Sequence, residues 1–203
     1  YEHDGIKLIR PLTFRENLLA RVEDFETLTN PDGTDRTLDQ RLQLFNRWLD
    51  SCTGVAYSSQ NKDNFRIIPV CRELITIDKN FNQGYIIIDY GTVREGTALQ
   101  RSKANYNQLL TQSEVLNHSG WLAAIEEDRH LLQIYARIVF GNMVSEDNNT
   151  AMGFYLKSSS IDKDQVRALF VSDRNNYSDA GGDSSLDDYG SFLRVTPSSA
   201  KKN

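Results

Sequence analysis

Histidine, cysteine, methionine and proline are all scarce in this chain, with three, two, two and four residues among 203. Two cysteines, Cys52 and Cys71, with no C-x-x-C pair, exclude a zinc ribbon and a disulfide framework. The chain needs no such staple, because a domain of this length buries roughly 70% of its unfolded surface. Four prolines and twelve glycines exclude collagen-like and proline-rich architectures. No window reaches the ~18 apolar residues of a membrane-spanning helix. There is also no excess of positive charge. Lys and Arg number 23 against 28 Asp and Glu, a net charge of −5. The densest basic groups are Arg94, Arg101 and Lys103, and Lys201 with Lys202 near the end. Bulk nucleic-acid binding, which runs on phosphate neutralisation, is not expected.

Motifs are equally sparse. The sequence holds no Walker A loop, no G-x-G-x-x-G after a strand, no H-E-x-x-H and no G-x-S-x-G. What is present is a folded domain's composition, 39% hydrophobic and 25% charged. The chain opens on Tyr1 and not Met, which leaves room for a removed leader. Two cysteines outside any framework favour a cytoplasmic location, with a secreted or virion-associated one left open.

Capping boxes mark helix starts. Thr13 with Glu16 precedes Phe14, Leu18, Val22, Phe25 and Leu28 at helical spacing, which predicts a helix over 14–29. Asn30-Pro31-Asp32-Gly33 is a stop and turn. Thr37 with Gln40 then opens a second amphipathic helix through Leu38, Leu42, Phe45 and Leu49, paired antiparallel with the first. Short β-branched and aromatic runs follow at 55–57, 65–70, 74–77 and 85–88, read as a strand meander. The last run is apolar on both faces and is placed centrally in the sheet. Pro69 puts its strand at an edge or a bend. A short helix is expected around 103–110, and Thr111 with Glu114 opens another turn. A stripe from Trp121 through Ile125, Leu132, Tyr135 and Val139 ends at Gly141. Asp128 falls on that stripe, so the segment is expected to break near Glu127. Strands are expected at 152–157, 166–171 and 191–196. Together these give an α+β fold: a mainly antiparallel sheet of short strands, an N-terminal helix pair and a central helical block. One domain spans 1–197, and residues 198–203 form a mobile tail.

Candidate chemistry is thin. Glu126 and His130 sit four apart on one predicted helix, the spacing of a metal pair or a carboxylate-oriented base, but also of an ordinary exposed pair. His118, at a helix junction, reads as a capping or surface residue. Asp78 and Asp89 lie at strand ends near Glu73 and Lys79, where acids could hold a catalytic cation. Residues 173–188 carry five aspartates, two asparagines and two adjacent glycines. Asp179, Asp183 and Asp187 are the candidate metal ligands, with a divalent cation, calcium above all, as the cofactor they would take. The EF-hand pattern fails, since Tyr177 takes a ligand position and Ser178 the glycine. The bland reading is a long exposed loop, in which Arg174, Tyr177 and Tyr189 could also anchor a partner. Asn117, Asn148 and Asn176 begin N-x-S/T sequons that chance alone supplies in so Asn-rich a chain.

Cys52 and Cys71 would face each other if the runs at 55–57 and 65–70 form a hairpin whose paired numbers sum to 123. The leading functional expectation is a non-enzymatic protein-interaction or structural protein, whose partner is another protein. The alternatives are a metal-dependent hydrolase or nuclease using an Asp/Glu cluster, and a calcium-stabilised binding module.

Overall fold

The computed structural model describes residues 2–3, 6–7, 10–75, 84–144, 149–157, 161–173, 177–183 and 191–192. In chain order the elements are β1 (Glu2–His3), β2 (Ile6–Lys7), α1 (Phe14–Glu26), α2 (Leu38–Leu42), β3 (Leu49–Tyr57), β4 (Asn64–Ile68) and α3 (Arg72–Ile75). Then come β5 (Ile86–Ile87), β6 (Thr97–Gln100), β7 (Leu109–Thr111), α4 (Gln112–Val115), α5 (Ser119–Ala124) and α6 (Arg129–Asn142). The chain closes with β8 (Thr150–Tyr155), β9 (Gln165–Asp173), β10 (Ser178–Gly181) and β11 (Ser191–Phe192).

One sheet organises the fold, in the order β6-β4-β3-β9-β10-β8-β7, with β5 added to β9 and β11 to β3. It is mixed, which corrects the expectation of a mainly antiparallel sheet. The β10–β8 and β11–β3 pairings are parallel, and the others are antiparallel. The reason lies in β10, which turns back from β9 and slots between β9 and β8, so it must run alongside β8.

Alternation along the strands divides the core in two. Leu49, Val55 and Tyr57 of β3, Phe65 and Ile67 of β4, and Leu169 and Val171 of β9 join the large core under α1, α5 and α6. Ala56, Ile68, Val166 and Ala168 point the other way, into a smaller cluster with Cys71 and Leu74. Phe14, Trp121 and Phe154 tie helices to sheet, with ring centroids 5.7 and 6.0 Å apart from Trp121 outward.

The helix starts follow the sequence. Thr13–Glu16, Thr37–Gln40 and Thr111–Glu114 each form a complete capping box. The break near Glu127 is also present. Glu126 and Glu127 adopt φ of 57° and 61°, and Asp128 caps α6 by accepting from the Leu131 N–H at 3.0 Å. The Asp128 carboxylate also holds Arg15 at 2.6 Å.

Other expectations fail for tertiary reasons. The second helix stops at Leu42, and Leu49 begins a strand buried along its whole length instead of ending a helix. Pairing on both sides of β3 overrides the helical spacing. Trp48, just before this strand, stacks on Phe170 at 4.4 Å. The apolar run 85–88 is not central. It yields the two-residue strand β5, and Ile87 is 59% exposed. The run at 74–77 begins in helix α3, not a strand, and residues 76–77 lie outside the described residues. Residues 101–103 form a 3₁₀ turn and 109–111 a strand where a helix over 103–110 was expected. Of the 191–196 run, the described residues form β11; the tail 198–203 lies outside them.

Candidate functional site

The aspartate-rich segment holds the largest surprise. Residues 178–181 are not an exposed loop but the buried strand β10, deep within the sheet. Small side chains make this possible. A Cβ on Gly181 would overlap the Phe170 ring, so only glycine lets β9 and β10 close there. Asp179 is 5% exposed, and one of its carboxylate oxygens accepts the Gly153 N–H at 2.9 Å. A Cβ on Gly153 would in turn overlap the Tyr155 ring.

Asp183 lies just past β10, beside a different polar group. The Tyr57 hydroxyl donates to the Gly182 carbonyl at 2.9 Å and accepts the Lys157 N–H at 3.3 Å. Burial pushes its pKa up, while the Arg101 and Arg167 guanidinia act against that. Arg101 lies over the Tyr57 ring at 5.4 Å and donates to the Lys157 carbonyl at 2.7 Å. Arg167 donates to Gln165 at 3.0 Å. The Asp183 Oδ1 is buried with no hydrogen-bond partner among the described residues. Asp187 lies outside those residues, as do 174–176 and 184–190. Among the described residues no three His, Cys, Asp or Glu side chains converge as metal ligands would.

The remaining sequence candidates separate. Glu126 precedes α6, so it and His130 do not share a helix face. His118 is buried, caps α5 by accepting from the Trp121 N–H, and packs between Tyr106 and Phe154. Burial holds its pKa down at about 4, so the ring is neutral. Asp89 caps a 3₁₀ turn by accepting the Gly91 N–H at 3.0 Å. Asp78 and Lys79 lie outside the described residues, and Glu73 accepts from the Cys71 thiol at 3.1 Å.

The hairpin of Cys52 and Cys71 forms, with pairs such as Gly54↔Ile68 that sum to 122 and not 123. The chain bends at Pro69, and the Cys71 N–H still donates to the Cys52 carbonyl at 2.8 Å. Both thiols are free. Cys52 turns to the Pro11 carbonyl and Arg10, and Cys71 to Glu73.

The sheet edge at β6 matches no periodicity or motif of the sequence. β6 ends the strand order, and its pairs with β4 sum to 164. The Arg101 N–H donates to the Asp63 carbonyl at 2.9 Å on that same register. An antiparallel ladder alternates, so Thr97 and Leu99 bond to β4 while Ala98 and Gln100 aim their N–H and C=O groups outward. Among the described residues nothing pairs with them. The turn into β6 needs Gly96, whose φ is +82° and whose Cβ would strike the Ile67 carbonyl.

Beside β6 lies a cleft of about 550 Å³, walled by the strand and by Asn64, Arg66, Tyr90, Lys103 and Ser119. Two cations and no carboxylate line it. The nearby Asp63 carboxylate is taken by Ser102, through its N–H and hydroxyl at 2.8 Å each. No helix among the described residues is long and apolar enough to cross a membrane. No family model, no curated protein and no solved structure matches this chain.

Proposed function

We propose that the chain is a non-enzymatic protein-interaction or structural protein, acting through its surface. The observation that supports this reading is the open edge of β6 with a cleft beside it. Exposed strand edges are templates for another chain, and natural proteins blunt them with charge, proline or bulges. Thr97, Ala98, Leu99 and Gln100 carry none of these devices.

A second reading, a calcium-stabilised binding module, is favoured by the buried Asp183 Oδ1, which has no partner among the described residues. A cation held only by the native state raises stability by about 2.7 kcal/mol at a hundredfold excess over its Kd. Thermal melts with Mg²⁺, Mn²⁺ and Ca²⁺ separate the readings. The interaction reading expects an unchanged Tm. A calcium shift lost in Asp183→Asn supports the module. Cation-dependent cleavage of a phosphodiester or ester supports the metal-dependent hydrolase or nuclease.

A further inference from the structure

We propose that the β6 edge takes an extended, acidic segment of a partner protein, which adds to the sheet as one more strand and sets its carboxylates against Arg66 and Lys103. The inference rests on the interaction reading and names its partner's chemistry.

Main-chain geometry supplies the first half. Ala98 and Gln100 present two N–H and two C=O groups on an exposed strand. An added strand satisfies them without disturbing the β4 ladder, which uses Thr97 and Leu99. Ala98 is a small residue level with Arg66 on β4, whose guanidinium donates to the Gly96 carbonyl at 3.3 Å and bonds the Tyr90 hydroxyl at the wall of the cleft.

Charge supplies the second half. The chain carries a net charge of −5, yet this cleft is lined by Arg66 and Lys103 and by no carboxylate. A strip of opposite sign to the rest of the molecule selects for acidic partners and steers their approach. Asn64, Gln100 and Ser119 add polar side chains along the same wall. A second copy of this chain would bring both subunits' Arg66 and Lys103 to one seam, where like charge opposes pairing. A contact this short gives a transient complex, not an obligate one.

The test pans a phage-displayed random-peptide library on the whole chain and on two variants. Ala98→Pro removes an outward N–H that the β4 ladder does not use, so the sheet is kept and the docking edge is blocked. Lys103→Glu changes an exposed side chain and leaves the edge open. Circular dichroism and melting confirm that each variant folds. If Ala98→Pro does not fold, Lys103→Glu alone carries the test. The expected result is enrichment of Asp- and Glu-rich peptides on the unmodified chain, with binding at least about tenfold weaker to Ala98→Pro. Lys103→Glu is expected to lose the acidic preference. Enrichment without acidic bias overturns the proposal, as does no enrichment at all. Binding that neither variant alters overturns it too, while leaving the broader interaction reading in place. Self-association lost in Ala98→Pro assigns the edge to a second copy and overturns it as well. Failure of the interaction reading itself shows elsewhere, as cation-dependent stabilisation or turnover.

Discussion

Arg21 is fully buried and donates to the Tyr135 hydroxyl at 2.7 Å. That hydroxyl meets Ser178 Oγ at 2.6 Å, so one phenol links α1, α6 and β10. The guanidinium also donates to the Arg47 and Val171 carbonyls and lies 5.6 Å from the Phe45 ring centroid. Neutral acceptors serve its two Nη atoms, while the buried Nε has no partner among the described residues. Tyr135→Phe leaves Arg21 and Ser178 short of a partner. The expected loss is about 1–3 kcal/mol. Urea unfolding should show a lower midpoint with an unchanged slope.

Gly181→Ala should be among the costliest single-methyl changes in the chain. Its Cβ meets the Phe170 ring, which is itself stacked on Trp48. Overpacking of this kind costs about 1–3 kcal/mol. A variant with an unchanged Tm would show that β10 does not sit against Phe170 as described.

His118 makes stability fall in acid. Its folded pKa of about 4 lies below the ordinary 6.5, because burial opposes the charged ring. The unfolded chain therefore takes up a proton first. The contribution is full above pH 6.5 and is lost as pH falls towards 4, up to about 3 kcal/mol in total. Asp50 acts oppositely, because burial raises its carboxyl to about 6, so protonating it relieves a cost over part of the same window. Glu16, held at about 2 by Arg10, loses its contribution only below the usual 4.5. Comparison with His118→Asn isolates the histidine, since Asn keeps a capping oxygen and does not titrate. The difference in unfolding free energy between the two chains should change between pH 6.5 and 4 and level off outside it.

Both cysteines should resist modification in the folded chain. Burial raises the Cys52 thiol, and burial with the neighbouring Glu73 carboxylate pushes Cys71 up to about 12. The thiolate is the reactive form, so it is scarce at neutral pH. A chromogenic thiol reagent should react slowly with the native chain and rapidly with both thiols in denaturant. Fast native labelling would contradict the burial of Cys52 and Cys71.

Local signals were legible in the residues alone. Three Thr-x-x-Glu/Gln boxes start helices because cap and partner lie within one turn of chain. Asp128 breaks the Trp121–Val139 stripe because its carboxylate caps α6. The cysteine hairpin was legible to within one residue of register, and Pro69 marks the bend that shifts it. Long-range pairing was beyond such signals. Asp50, Ser51 and Thr53 look wrong for a central strand, yet β3 is buried because distant groups satisfy it. Ser51 donates to the Leu169 carbonyl, and Thr53 donates to the Pro69 carbonyl at 2.8 Å. The run 85–88 reads as a core strand, yet β9 is already paired with β3 on one side and shares the other between β5 and β10. Asp179 reads as a loop ligand, yet glycine at 153 and 181 lets its strand into the sheet. The β6 edge has no sequence signature, because being an edge means lacking a neighbour on one side, and only the assembled sheet decides which strands, here β6 and β7, stand at its ends.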